Sequence, residues 1–321
     1  MNSFFLDSGV IEVDFESGVF GKIISNGSVI NNGKTDLFAV KLRNRNAESI
    51  VMSACKFRFV DFDGSAATYS SDLIDVVIRC SPSEDKNSFL VRADVKNKTD
   101  MLIEWVELIS PSVFGKLCDE KGGKGAIVYP FNEGGFVTDM AYRESMPYKY
   151  AEPDYPSKSG YSIFPNMICS QFLAYICDNS GLYLGMHDSE RTTKHIDFRY
   201  ADGNIKLQMR TFCDVDYGQD YAMPFDCVMR PFVGDWHDSC EIYRAWFDDN
   251  LPDGLKKISR NETLPDWYDE SPVTVIYPIR GRKDTGDMTP GGMFPYENAL
   301  PFFLFFIFSF VLLICSFFYL F

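Results

Sequence analysis

The stretch FLVRADVKNKTDMLIEWVELI, residues 89–109, carries the clearest strand pattern in the chain. Over residues 89–96 apolar and polar side chains alternate with one exception, which is the period of a strand with one buried face. The turn residue Asn97 then separates this segment from a second apolar run, Met101–Ile109. We expect the two segments to form a half-buried hairpin in which Trp105 faces the core.

Similar short runs continue on both sides of this stretch, and turn residues separate them. The dipeptide Asn26-Gly27, for example, is a strong hairpin signal. The predicted strands cover residues 10–15, 19–25, 37–42, 55–60, 89–96, 101–109, 126–129, 171–177, 182–186, 205–211 and 221–230. Because no amphipathic helix longer than about two turns precedes residue 234, these strands predict a mainly β fold. We expect a large antiparallel β-sandwich over residues 1–235.

The pattern changes after the sandwich. Asp235 is a good helix cap, and apolar residues then recur at helical spacing up to about Asn250. We expect the first of them, Trp236, to pack this helix against the sandwich. Residues 236–270 are therefore predicted to be a connecting helix and linker. Residues 271–300 read as a strand, a loop and the first turn of a helix, which is how a (β/α) barrel begins.

The last segment, 301–321 (PFFLFFIFSFVLLICSFFYLF), contains no charged side chain. As a helix it is about 31 Å long, enough to span the hydrocarbon core of a bilayer. This predicts a C-terminal apolar transmembrane helix, with the lipid bilayer as a partner and a cytoplasmic body if the chain is tail-anchored. The alternative is the product of a frame shift, in which case a cytoplasmic protein is expected.

The composition excludes some classes of partner. The 321-residue chain has a formal net charge of −14 and a sequence pI near 4.7. Nucleic-acid binding is dominated by Lys and Arg contacts to phosphate, so we expect no nucleic-acid partner. The nine cysteines are irregularly spaced, and the N-terminal residues lack the basic region of a secretory signal. Both features favour reduced thiols in the cytosol over a disulfide framework.

Four stretches carry a resemblance to a known family: YPFNEGGFVTD (129–139), CDNSGLYLGMHDSERTTK (177–194), PFVGDWHDSCEIYRAWF (231–247) and LPDWYDESPVTVIYPIRGR (264–282). They resemble uncharacterised glycoside-hydrolase-like proteins that join a galactose-mutarotase-like β-sandwich to a (β/α)8 barrel. The resemblance implies a supersandwich-like domain and a carbohydrate partner. After about Pro301 the apolar tail stands where the family's barrel would continue, so we expect a barrel truncated after its first strand. The catalytic carboxylates of barrel glycosidases lie on later strands.

The candidate substrate-binding residues are His187, Asp188 and Lys194, which follow a predicted strand, and Arg280 and Arg282, which follow the barrel-like strand. The alternative for the first three is a solvated hairpin tip. His187 has no partner ligands at the spacing of a metal site. No catalytic residue, metal or cofactor is assigned.

Three functions remain open at this stage. The first is the carbohydrate-associated sandwich of a glycosidase-like protein, without catalytic activity of its own. The second is a tail-anchored membrane protein that displays an acidic interaction module. The third is an epimerase or lyase that uses His187 and a nearby acid. The sugar and the oligomeric state are not indicated.

Overall fold

A computed structural model describes residues 1–31, 33–114, 126–131, 134–138, 163–201, 204–252 and 261–263. The chain divides into two compact units, Met1–Leu255 and Lys256–Phe321. All described residues except 261–263 belong to the first unit. The predicted barrel unit at 271–300 and the predicted apolar helix at 301–321 lie outside the described residues. The proposed boundaries after residues 235 and 270 stay predictions.

The described part is mainly β, as predicted, and every strand pair in it is antiparallel. In chain order the strands are β1 (Asn2–Leu6), β2 (Gly9–Asp14), β3 (Val19–Ser25), β4 (Ser28–Val29), β5 (Thr35–Asp36), β6 (Phe38–Arg43), β7 (Ser49–Ser53), β8 (Arg58–Phe62), β9 (Ala66–Ser70), β10 (Ile74–Pro82), β11 (Phe89–Asn97), β12 (Leu102–Leu108), β13 (Ser112–Phe114), β14 (Ala126–Tyr129), β15 (Gly135–Val137), β16 (Ile163–Phe164), β17 (Phe172–Cys177), β18 (Ser180–His187), β19 (Lys194–Ala201), β20 (Asn204–Phe212), β21 (Tyr221–Ala222) and β22 (Asp226–Val233). The helix α1 spans Trp236–Asp249.

Three sheets contain these strands. A ten-stranded sheet runs β15-β14-β17-β18-β22-β11-β10-β9-β8, with β21 paired to β11. A seven-stranded sheet runs β16-β19-β20-β12-β6-β7, with β13 paired to β20. A smaller sheet, β1-β2-β3-β4 with β5, completes the fold. Its β3–β4 turn confirms the Asn26-Gly27 prediction, because both residues have the positive φ, 47° and 76°, that a tight hairpin requires.

The two large sheets bury one face each in a shared hydrophobic core. The ten-stranded sheet contributes side chains such as Val76 and Val91, and the seven-stranded sheet contributes Val40 and Leu207. This arrangement is a β-sandwich. The other face of the seven-stranded sheet carries polar side chains, among them Glu107 and Arg210.

The predicted hairpin over residues 89–109 is wrong, although both of its strands exist. β11 pairs with β10, β21 and β22, whereas β12 pairs with β6 and β20 in the opposite sheet. The polar positions of β11 meet oppositely charged partners on its true neighbours: Arg92 donates to Asp226, and Asp94 accepts from Arg79. Alternation along a strand shows which face is buried but not which strand lies beside it.

The predicted direction of Trp105 is also wrong. Ile103 and Val106 belong to the core, but Trp105 and Glu107 lie on the polar face of the sheet. The cause is a register shift between Ile103 and Trp105, where Glu104 is the extra residue. A bulge moves every later side chain to the opposite face, so it keeps the Glu107 carboxylate out of the core.

The helix after Asp235 is confirmed at both ends. The Asp235 carboxylate accepts from the backbone N–H of His237, and Asn250 caps the C-terminus. The expectation that Trp236 packs the helix on the sandwich is wrong, because this side chain is 48% exposed. The side chain of Tyr243 packs there, stacked on Phe172. Trp236 lies in the first turn, before the helix reaches the sheet.

The membrane prediction is corrected. In the part of the chain that the structure describes, no helix has both the length and the apolar character needed to cross a bilayer. α1 has 14 residues, which at 1.5 Å per residue is about 21 Å, short of a hydrocarbon core of roughly 30 Å. The predicted transmembrane localisation is therefore not supported.

Candidate functional site

His187, the first of the predicted site residues, lies between the ten-stranded sheet and α1. Its Nε2 forms a hydrogen bond of 2.8 Å with the Tyr183 hydroxyl, and its ring stacks on Trp246 at 4.8 Å. Burial lowers the pKa of His187 to about 4, so the imidazole is neutral at physiological pH. This geometry fits the docking of the helix better than contact with a ligand.

Asp188 and Lys194 are brought together by the structure, as a buried ion pair. The Lys194 Nζ lies 2.5 Å from Asp188 Oδ2, and the two side chains are 0% and 2% exposed. Asp188 also accepts from the backbone N–H groups of Glu190 and Thr192. Burial by itself would raise the pKa of Asp188, but Lys194 and Thr192 outweigh it and lower the pKa below its usual range. The pair closes the β18–β19 connection instead of forming a solvated tip.

The side chains of His187 and Asp188 do not converge on a common site. The imidazole contacts Tyr183 and Trp246, whereas the carboxylate contacts Lys194. Arg280 and Arg282 lie outside the described residues. Within the described ranges, no group of three or more His, Cys, Asp or Glu side chains could hold a metal ion. The assignment of these residues to substrate binding stays a prediction.

A cleft on the polar face of the seven-stranded sheet is a stronger candidate site, and sequence reasoning missed it. Its volume is about 610 Å³, within the range of small-molecule sites. The walls come from β5, β12 and β20, which contribute Thr35, Trp105, Glu107, Lys206 and Arg210. We call it the sheet cleft.

The charged centre of the sheet cleft is Glu107. Arg210 Nε donates to Glu107 Oε2 over 2.6 Å, and the Lys206 Nζ lies 3.1 Å from Oε1. The strands set this arrangement, because Glu107 and Arg210 are directly paired in the β12–β20 register. The Arg210 guanidinium also lies over the Trp105 ring, 4.6 Å from its centroid, in a cation–π contact.

Three buried polar atoms in the cleft walls make no hydrogen bond within the described structure. They are Trp105 Nε1, one terminal nitrogen of Arg210 (Nη1) and Thr35 Oγ1. Trp105 is 2% exposed and Arg210 is 8% exposed. Leaving a buried donor unsatisfied costs about 1–3 kcal/mol, so a ligand group that reaches one of these atoms would recover that cost.

Glu107 is held in its ionised form. Burial would raise the pKa of this carboxyl, but Arg210 and Lys206 outweigh the burial and lower the pKa below its usual range. At neutral pH the side chain can accept hydrogen bonds and balance charge, but it has no proton to give.

One signal in the sequence could have placed Glu107 on the polar face of the sheet. Without a bulge, strict alternation in LIEWVEL, residues 102–108, would place Glu107 on the same face as Ile103. A carboxylate in an apolar core is costly, and this conflict indicates a bulge between the two residues. The partners of Glu107 on β20 are distant in sequence, so no local pattern could identify them.

The β-sandwich of the described unit is a fold that solved structures of other proteins share. It is similar to the α-N-acetylgalactosaminidase NagBb from Bifidobacterium bifidum: in the GalNAc complex the TM-score is 0.54 at 12% identity, over 78% of this chain and 39% of that one. The ligand-free NagBb structure gives a TM-score of 0.51 at 12% identity with the same coverage. At such identities the likeness shows a shared fold and no more.

The chain thus spans about two fifths of the length of NagBb. A putative aldose 1-epimerase from Escherichia coli K12 overlaps at a TM-score of 0.42 and 8% identity, over 72% of this chain and 98% of that one, which is too weak to infer more. No protein-family model and no curated protein matches the sequence.

Proposed function

We propose that this protein is a carbohydrate-binding β-sandwich, that the sheet cleft is its sugar site, and that the sandwich is not catalytic by itself. The observation that carries the proposal is the set of unpaired buried polar atoms in the cleft, at Thr35, Trp105 and Arg210. A sugar offers hydroxyl groups that both donate and accept, so it can satisfy these atoms and also bind the Glu107 carboxylate.

The fold supports the same proposal. NagBb, whose structure contains GalNAc, shares the sandwich fold over 78% of this chain. Because many functions occur on one fold, this likeness raises the expectation of a carbohydrate ligand without naming it. GalNAc and its parent sugar galactose are therefore the first ligands to test.

The ionised form of Glu107 supports the proposal that the sandwich is not catalytic by itself. Glycosidases use a carboxylic acid that protonates the leaving oxygen, together with a second carboxylate. Arg210 and Lys206 lower the pKa of Glu107, which is the opposite of the raised pKa that a general acid needs. Hydrolysis of nitrophenyl glycosides by the full chain that is lost in Glu107→Gln would contradict this part of the proposal.

Binding is tested with the full chain and a panel of methyl glycosides, by isothermal titration calorimetry. Trp105→Phe removes the indole N–H and keeps an aromatic ring, while Arg210→Gln removes the guanidinium. The matched controls are Trp236→Phe on the exposed first turn of α1 and Arg79→Gln on the ten-stranded sheet. We expect both cleft variants to weaken binding and both controls to leave it unchanged. Equal binding by all four variants would exclude the sheet cleft as the site.

A further inference from the structure

Two of the three unpaired atoms in the sheet cleft are hydrogen-bond donors that cannot accept. Trp105 Nε1 and Arg210 Nη1 carry only N–H groups and cannot accept a hydrogen bond. The group of the ligand that meets them must therefore be an acceptor. Since both side chains are at least nine-tenths buried, this acceptor is largely removed from water when it binds.

The charge of the cleft points the same way. Its walls hold three cationic side chains, Lys34, Lys206 and Arg210, and two carboxylates, Asp36 and Glu107. Lys34 also lies 3.7 Å from Asp14, so the local excess of positive charge is at Glu107, where one carboxylate faces the two cations Lys206 and Arg210, in a protein whose formal net charge is −14. A local positive region on an acidic protein attracts an anionic ligand.

The cleft is not arranged for stacking on Trp105. The Arg210 guanidinium already covers one face of the ring at 4.6 Å from its centroid, so a sugar ring cannot use that face. Glu107 binds Arg210 through Nε at 2.6 Å, which fixes the guanidinium while Nη1 keeps no partner in the described part of the chain. A guanidinium N–H without a partner suits a carboxylate oxygen, because a hydrogen bond between two charged groups is stronger than one between neutral groups.

From these observations we infer that the sheet cleft selects an acidic saccharide, whose carboxylate is bound by Arg210 and Trp105. The inference rests on the carbohydrate-binding role proposed above and adds the class of sugar. Arg210 is the residue that determines specificity, and Glu107 is a positioning residue that acts through it. The unpaired atoms are shielded from water, so a side chain of the cleft wall moves when the sugar enters.

The test compares ligands that differ only in charge, on the full wild-type chain. Methyl galacturonate, its neutral amide, methyl galactoside and the methyl glycoside of GalNAc are titrated by calorimetry at low salt. We expect the acid to bind at least about tenfold more tightly than its amide, because a hydrogen bond to a charged group is worth more than one to a neutral group. The advantage should shrink as sodium chloride is added.

The variants assign the effect to the cleft. Arg210→Gln should remove the preference for the acid over the amide, and Arg79→Gln should keep it. Because Arg210→Gln leaves the Glu107 charge buried, the double variant Glu107→Gln/Arg210→Gln is measured beside it, with circular dichroism to check folding; it too should lose the preference.

Each outcome has a distinct meaning. If a neutral sugar binds and the acid has no advantage over its amide, or if the GalNAc glycoside binds more tightly than the acid, the inference is overturned and the carbohydrate-binding proposal stands. If none of the sugars binds, both are overturned. If the acid is preferred and Arg210→Gln still prefers it, Arg210 is not the determinant and the inference is overturned at that residue.

Discussion

At the residue scale, the buried charges of Asp188 and Lys194 belong to one group whose members satisfy one another. Asp188 accepts from the Lys194 ammonium, the Thr192 hydroxyl and two backbone N–H groups. Lys194 also donates to the Thr192 carbonyl and lies 4.7 Å from the Phe225 ring centroid. Removing one member of such a group leaves the other charge uncompensated.

Lys194→Met should therefore destabilise the protein by about 3–5 kcal/mol. The matched control is Lys98→Met, since Lys98 pairs with Asp75 where both side chains are about a third exposed, and it should cost no more than about 1 kcal/mol. Urea unfolding of the two variants gives both values. A loss for Lys194→Met no greater than that for Lys98→Met would show that the buried pair is not structural.

Also at this scale, part of the candidate site was predictable and part was not. The sequence places Asp188 and Lys194 near each other because only five residues separate them. It does not place Arg210 beside Glu107, because the pairing of β12 with β20 joins segments about a hundred residues apart. Strict alternation places Trp105 in the core, and only the conflict between Ile103 and Glu107 in the same strand indicates the bulge that reverses it.

At the element scale, the bulge in β12 directs Trp105 and Glu107 to the polar face of the seven-stranded sheet, and α1 packs on the ten-stranded sheet. α1 covers the β17–β18 part of the ten-stranded sheet, where its Tyr243 stacks on Phe172 and its Trp246 stacks on His187. The limits of this helix were predictable, because Asp235 and Asn250 are local signals. Its packing face was not, because the choice between Trp236 and Tyr243 depends on where the sheet lies.

The docking of α1 should depend on pH through His187. Its pKa in the folded protein, about 4, is below the ordinary value of about 6.5, so the unfolded chain binds the proton more readily than the folded protein between these values. Stability is therefore fully present above about pH 6.5 and is lost as the pH falls toward 4, by about 2 kcal/mol between pH 7 and pH 5.

Urea unfolding at pH 7 and pH 5 measures this change. His187→Phe keeps an aromatic ring against Trp246 and removes the titrating group, so its loss of stability over the same interval should be smaller. An equal loss in the wild type and in His187→Phe would assign the pH dependence to other residues.

The N-terminal cap of α1 makes a separate contribution. Asp235→Ala removes the carboxylate that accepts from the backbone N–H groups of His237 and Asp238, and it should cost about 1 kcal/mol. Glu241→Ala is the control, because the contact of Glu241 within the described residues is an exposed pair with Arg244, worth a few tenths of a kcal/mol. Thermal unfolding that ranks the two variants the other way round would refute the role of the cap.

At the scale of the whole molecule, two sheets bury a common core and leave one polar face with a cleft. The mainly β class and most strands follow from local alternation and turn residues, which act over a few positions. The distribution of those strands between the two sheets does not, since β11 and β12 are neighbours in sequence and lie in opposite sheets. The cleft depends on that distribution, and only the assembled sandwich reveals it.

The central claim is that a sugar binds in the sheet cleft, and the indole N–H of Trp105 reports on it directly. The chain has four tryptophans, so the indole region of a ¹⁵N-labelled sample contains few signals, and Trp105→Phe identifies the one of interest. On titration with methyl galacturonate and with the methyl glycoside of GalNAc, we predict a saturable shift of the Trp105 signal and none of the Trp236 signal. An unmoved Trp105 signal at saturating sugar, or a shift confined to Trp236, would contradict the account.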